Sequence, residues 1–250
     1  MIGKKEILYY AKTDRGLCRN VNQDAAAAFV QDDLGLFVLS DGMGGHSRGE
    51  LASSWIVKGF EAYWEKLLTM QLPSFQDFVA QIRQQLCLMN SQIRECYNRG
   101  QICGATAAVL LISGGCYAVF SAGDSRIYTC VGGRSSILTV DDVWDTQPAT
   151  VRFFSQEQIE IHGNHGKLMQ AVGTQPQLNI HIRTDKLRRG QVFLLCSDGL
   201  FKHCDEEWLG SKLRGVKNES ALRQTIETYF EEVYRRGAGD NVTAVLVKVR

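Results

Sequence analysis

An α+β fold, with antiparallel sheets covered by helices, is the class this sequence predicts. Two observations carry it. Strand-type and helix-type segments fall in separate blocks instead of alternating, which argues against a parallel βαβ sheet. The strand-type segments are also joined by short turn signals, "QDDLG", "SGG" and "GDS", which suit antiparallel neighbours.

Taken in order, Ile7 to Lys12 reads as a first strand. Ala25 to Val30 and Leu36 to Leu39 flank "QDDLG" and predict a hairpin. From Ser47 the period changes. Leu51/Ala52, Trp55/Ile56, Gly59/Phe60, Tyr63/Trp64 and Leu67/Leu68 recur every four residues, the spacing of one helix face. Ser47 with Glu50 has the form of a capping box at the helix start. Pro73 marks the break, and Phe75, Phe78, Val79, Ile82, Leu86, Met89 and Ile93 predict a second helix. Ala105 to Ile112, Cys116 to Ala122 and Arg126 to Val131 then read as a β-meander. Residues from about 141 to 167 are polar and weakly patterned, with one helix-like piece, "SQEQIEI"; they are a functional flap or a disordered loop. Strands at Leu178 to Thr184 and Val192 to Cys196 follow. A helix through Leu222, Ile226, Tyr229, Phe230 and Val233 precedes a last strand, Val242 to Val249. No repeat or linker divides the chain, so residues 1–250 read as one domain.

Composition narrows the function classes. The chain is 44% hydrophobic with a formal net charge of +1, so no overall field recommends nucleic acid or a membrane surface as partner. Its longest apolar run, around Ala105 to Ile112, falls far short of the ~18 residues of a membrane span. The N-terminal stretch lacks the apolar segment of a signal peptide. Eight cysteines show no C-x-x-C pair, and several sit in apolar runs, which predicts reduced core thiols in a cytoplasmic protein.

The chemistry is carried by acids. "VLSDGMGG" sets Asp41 between an apolar run and a glycine cluster. "FLLCSDGL" repeats the pattern with Asp198, and "AVFSAGDSR" repeats it with Asp124. "GAGDNVTAVLV" and "RNVNQDAAAAFV" place Asp240 and Asp24 just ahead of strands. A single Asp-Gly is usually a turn, as Asp32 and Asp33 illustrate. Five aspartates at strand edges are different, because gathered carboxylates repel and lose hydration unless a cation holds them. Oxygen ligands suit Mg2+ or Mn2+ over zinc. A glycine beside such a ligand lets a carbonyl reach the metal and a phosphate come close.

The blocks "TDRGLCRNVNQD", "LSDGMGGHSRGELAS", "GATAAVLL", "AGDSRIY", "LTVDD", "LLCSDGL" and "GDNVTAVLV" stand in the order found in metal-dependent serine/threonine protein phosphatases of the 2C class. The chain resembles that family from about Thr13 to Val247, and most of all its compact bacterial members. The resemblance implies a four-layer α-β-β-α sandwich of two antiparallel sheets. It implies two Mn2+ or Mg2+ ions, with a third left open. Asp41 would bridge them and the Gly42 carbonyl would be a ligand. Asp198 and Asp240 would complete the first metal, Asp124 would serve a further metal or its water, and Asp24 a water near the second. Arg19 would grip the substrate phosphate, a task its guanidinium fork suits. The implied partners are phosphoproteins, including a Ser/Thr kinase or its targets, and a monomer is expected.

This chain departs from the family pattern at three places. Met43 stands where many non-bacterial relatives carry a histidine, and His46 is the nearby candidate for a catalytic acid or a helix-entry residue. Gln23 replaces a frequent glutamate and drops one charge, which keeps open a phosphoprotein-binding pseudophosphatase as the alternative. Asp142 stands where many relatives have histidine. A phosphatase for small esters shares the same chemistry.

Overall fold

The computed structural model describes residues 6–44, 48–69, 72–97 and 102–250. In chain order its elements are β1 (Ile7–Asp14), β2 (Asp24–Gln31), β3 (Leu34–Gly44), α1 (Arg48–Leu68) and α2 (Phe75–Tyr97). Then come β4 (Cys103–Ala105), β5 (Ala107–Ser113), β6 (Cys116–Ala122), β7 (Arg126–Val131) and β8 (Arg134–Ile137). The flap region holds a 3-10 turn at Trp144–Thr146 followed by α3 (Pro148–Phe153) and α4 (Gln156–Glu160). The chain finishes with β9 (His181–Lys186), β10 (Val192–Cys196), α5 (Asp198–Phe201), α6 (Glu206–Leu213), α7 (Glu219–Arg235) and β11 (Val242–Val249).

The strands form two antiparallel sheets. One runs β1-β11-β10-β7-β8; the other runs β2-β3-β5-β6-β9, with β4 added to the end of β3. Both sheets are apolar on both faces, and the alternation of side chains sorts them into layers. Leu36, Val38, Val109 and Leu111 face α1 and α2, whereas Phe37, Leu39, Leu110 and Ile112 face the opposite sheet. In the other sheet Leu194, Cys196, Ala244 and Leu246 face α7, while Phe193, Leu195, Val245 and Val247 point inward. The result is helix, sheet, sheet, helix. It explains why these strands read as continuous apolar runs and not as alternating ones.

The expected elements recur with four instructive differences. β3 does not stop before Asp41 but continues to Gly44, because Gly42–Gly44 find partners in β4. The run from Ala105 to Ile112 is split at Thr106, whose N–H turns to the Asp41 carbonyl at 2.8 Å. Residues 178–180 are not strand: the Gln170 side chain donates to the Asn179 carbonyl at 2.7 Å and accepts from its N–H at 2.8 Å. Helices α5 and α6 had no periodic signal at their lengths; α6 is set by Asp205, whose carboxylate accepts from the N–H groups of Glu207 and Trp208. The proposed cap at Ser47 lies outside the described residues. None of the eight cysteines is in a disulfide, but only Cys103, Cys130, Cys196 and Cys204 are buried, so the core-thiol expectation holds for half of them.

The centre of the inter-sheet layer is Phe193, fully buried and edge-on to Tyr117 with ring centroids 5.0 Å apart. Phe193→Ala is expected to cost about 3–5 kcal/mol through lost burial and an unfilled cavity, read as a shift in the denaturant midpoint at unchanged slope.

Candidate active site

The strand pattern brings the five aspartates to one end of the sandwich. Asp24 and Asp41 are direct register partners across the β2–β3 ladder. Asp124 follows β6, Asp198 opens α5 just after β10, and Asp240 precedes β11. Asp41, Asp124, Asp198 and Asp240 line a cleft of about 310 Å³ together with Arg19 and Lys202. Asp24 lies beneath its floor and is buried. All the sequence-identified acids are thus drawn together, and Gly42 lines the same cleft. His46 lies outside the described residues. His162 and His165 belong to the flap: His162 stacks on Trp144 at 4.2 Å, and His165 pairs with Asp145 at 2.9 Å.

Hydrogen bonds hold Asp41, Asp24 and the loop that faces Asp240. The Asp41 N–H donates to Thr106 Oγ1 at 2.9 Å and its carbonyl accepts from the Thr106 N–H, so the strand break holds this residue on both sides. Gly42 donates to the Gln23 carbonyl at 3.0 Å. A Cβ at Gly42 would stand 2.2 Å from the carbonyl oxygen of Gly49 and 2.6 Å from that of Gln23, so only glycine lets α1 dock here. Asp24 Oδ2 accepts from Ser197 Oγ at 2.7 Å, a bond that crosses from one sheet to the other. Asp24 Oδ1 is buried without a hydrogen-bond partner. Asn241 ties the 15–23 loop to β11: its amide donates to the carbonyls of Arg15 and Val21, and its oxygen accepts from the Gln23 N–H. That loop carries Arg19, whose Nη2 donates to Asp240 Oδ2 at 2.7 Å.

Sequence reasoning left out Lys202 and Thr106, and it named Asp142 without any contact. Lys202 donates to Asp198 Oδ2 at 2.5 Å. Thr106 bridges Asp41 to Ser125, its hydroxyl 2.6 Å from Ser125 Oγ. Asp142 accepts from the Gly123 N–H at 2.8 Å and from Gln170 Nε2 at 2.9 Å, and its other oxygen meets His181 Nε2 at 2.8 Å. A lysine four residues beyond an aspartate was a readable signal for the first. The Asp142 contacts had none, since the His181 partner is 39 residues away.

The electrostatics are those of crowded acids. Burial, then the charges of Asp24, Asp198 and Asp124, hold the Asp41 carboxyl well above the usual range. Burial pushes Asp24 up to about 6 against the opposing hydrogen bonds, and burial plus the Asp198 charge pushes Asp124 up to about 6. Among the described residues no three ligating side chains are drawn in around one point; Asp198 and Asp240 are taken by Lys202 and Arg19 instead. The donor set still fits a hard divalent cation. It is all oxygen, it is mutually repelling, and it includes the orphaned Asp24 Oδ1.

Comparison with known proteins agrees with this architecture. The family model for protein phosphatase 2C matches residues 18–249. The serine/threonine phosphatase stp of Listeria welshimeri is 25% identical over 242 residues, 95% of this chain and 94% of that protein. The structure of the S. agalactiae serine/threonine phosphatase superposes with a TM-score of 0.85 at 24% identity, over 98% of this chain and 100% of that one. The catalytic domain of PstP, solved in complex with two manganese ions, matches with a TM-score of 0.77 at 26% identity, over 98% and 99% of the two chains. By class the molecule is a protein-serine/threonine phosphatase built as an α-β-β-α sandwich. The chain belongs to the protein phosphatase 2C family.

Two outcomes follow from the geometry. Gly42→Ala sets backbone against backbone, which no rotamer relieves, and is expected to cost on the order of 1–3 kcal/mol in chemical denaturation. The raised carboxyls of Asp24 and Asp124 hold a proton in the folded chain between the ordinary carboxyl value of 3.8 and about 6. Their stabilisation is full below that window and is lost as pH rises through it. In chelator, the thermal midpoint of the wild type is therefore expected to fall more steeply from about pH 4 to 6 than that of Asp24→Asn, which of these two protons keeps only the one on Asp124.

Proposed function

We propose that this chain hydrolyses phosphoserine and phosphothreonine on proteins, using a water activated by Mn2+ or Mg2+. The observation that supports this most is the crowded set of Asp24, Asp41, Asp124 and Asp198 beside Arg19, on the fold of a phosphatase family. Asp41, the Gly42 carbonyl, Asp198 and Asp240 would hold two ions, with Asp24 and Asp124 acting on their waters. Such ions supply a low-pKa water and positive charge for the phosphoryl group. The PstP structure with two manganese ions supports that reading.

The protein's own residues bind and orient. One Arg19 nitrogen is committed to Asp240, and the planar fork has further N–H groups for two phosphate oxygens. Asn241 sets where that fork stands, because it anchors the loop on both sides of Arg19. Thr106 keeps Asp41 from retreating as charge gathers around it. Gly166 and Leu168, at the end of the flap, wall the cleft. The flap also presents Val151, Phe153 and Ile161 to solvent. Exposed apolar side chains on the segment that walls the cleft suit a polypeptide substrate better than a small ester. His46 is the candidate donor of a proton to the leaving alkoxide.

We place the enzyme in the cytoplasm, as a monomer, opposite a bacterial-type Ser/Thr kinase. Eight cysteines with no disulfide among them support a reducing compartment. Among the described residues no helix is long and apolar enough to cross a membrane.

Phosphate release from a phosphothreonine peptide is expected to require Mn2+ and to vanish in Asp198→Ala. Metal-loaded protein that binds the peptide without turnover would overturn hydrolysis in favour of the non-catalytic alternative. Arg19→Ala is expected to raise KM for the peptide roughly tenfold or more, the worth of a charge-assisted hydrogen bond, with a smaller effect on kcat.

A further inference from the structure

We infer that Lys202 is a built-in cation of the cleft, which balances charge on its Asp124–Asp198 side so that this side takes no divalent ion of its own. The inference rests on the reading of Asp41 and its neighbours as metal-holding.

Local structure puts the ammonium there. Asp198 opens α5, and the Lys202 N–H closes its turn on the Asp198 carbonyl at 2.9 Å. Residues four apart share a helix face. The turn is pressed close to β11, since a Cβ on Gly199 would stand 2.0 Å from the Asn241 carbonyl oxygen. The Lys202 side chain therefore reaches back over its own carboxylate into the cleft, where Nζ meets Asp198 Oδ2 at 2.5 Å. An exposed pair of this kind is worth only ~0.3–0.5 kcal/mol. This one has more around it. Asp124 and Asp41 line the same cleft, so their carboxylates share it with the ammonium. Asp124 is buried and shares the cleft wall with Lys202.

Charge decides how many ions fit. Fully ionised, the five aspartates with Arg19 and Lys202 leave the site at minus three. Two divalent ions bring it to plus one, a field that suits an incoming phosphate dianion. A third ion on Asp124 and Asp198 would bring it to plus three and would have to displace an ammonium tethered four residues away. The tether makes Lys202 a competitor whose strength does not dilute with metal concentration. The lysine would then fix the metal count at two, the point the sequence left open.

Counting bound Mn2+ by equilibrium titration tests this on the full chain. Wild type is expected to take up two ions per chain, and Lys202→Met and Lys202→Gln one more. Lys202→Met with Asp124→Asn is expected to return to two, because the added ion needs that carboxylate. The same count in wild type and both neutral variants, with circular dichroism showing native folds, would overturn the role of Lys202. Three ions in wild type would overturn it equally. No uptake by any variant would overturn the metal reading itself, and this inference with it.

Discussion

Asp24 and Asp41 face each other across the β2–β3 ladder, and the cleft is organised around holding two carboxylates in that position. Directly opposed like charges destabilise a strand pair. Here the pair is also walled in by Asp124 and Asp198, and burial, then the charges of Asp24, Asp198 and Asp124, raises the proton affinity of Asp41. Effective desolvation costs reach several kcal/mol per ion in a protein interior. A lone hairpin could not hold such an arrangement. It persists because both strands belong to a sheet buried on both faces, where a slip of one residue would turn every apolar side chain of β3 to the wrong layer.

The two sheets meet at this point by direct bonding as well as by packing. Ser197, at the end of β10, donates to Asp24 and accepts from the Thr243 N–H, so one hydroxyl joins β10, β11 and β2. Thr106 performs the equivalent task within the other sheet by interrupting the β4–β5 run to serve Asp41. The close approaches of Gly42 to α1 and of Gly199 to β11 remove the space through which either acid could shift. The glycines beside the aspartates therefore act first on packing. The exposure of a carbonyl to a ligand is a second consequence of the same missing Cβ.

What the sequence revealed follows from what was local. The helix faces from Trp55 to Leu67 and from Phe78 to Ile93 were legible because their period is local, and so were the apolar strands that end in Asp-Gly. Thr106 was hidden because an apolar run continues through it, and its break depends on Asp41, 65 residues away. The glycines after Asp41 suggested a strand end, yet β4 pairs with them. Leu178 to Ile180 have strand composition, but the Gln170 side chain takes the backbone of Asn179. In each case a tertiary hydrogen bond overrode a correct reading of local preference. The acids could be named without knowing their distances, and the lysine among them carried one local signal, its place four residues beyond Asp198.

Asp142 shows why the flap and the acids form one system. Its carboxylate receives the Gly123 N–H, which fixes the turn that carries Asp124, with Gly123 at a φ of 104°. The same carboxylate receives Gln170 and meets His181, while the Asp142 carbonyl accepts the Met169 N–H at 2.7 Å. Both ends of the flap therefore close on one residue. Hydrogen bonds to a carboxylate are among the stronger ones, about 1.5–3 kcal/mol each. A displacement of the flap that pulled on Gln170 would have to break such a bond or move Gly123, and with it Asp124. Substrate contacts on the flap thus have a short, bonded route to the buried acids, made of a single carboxylate that serves both.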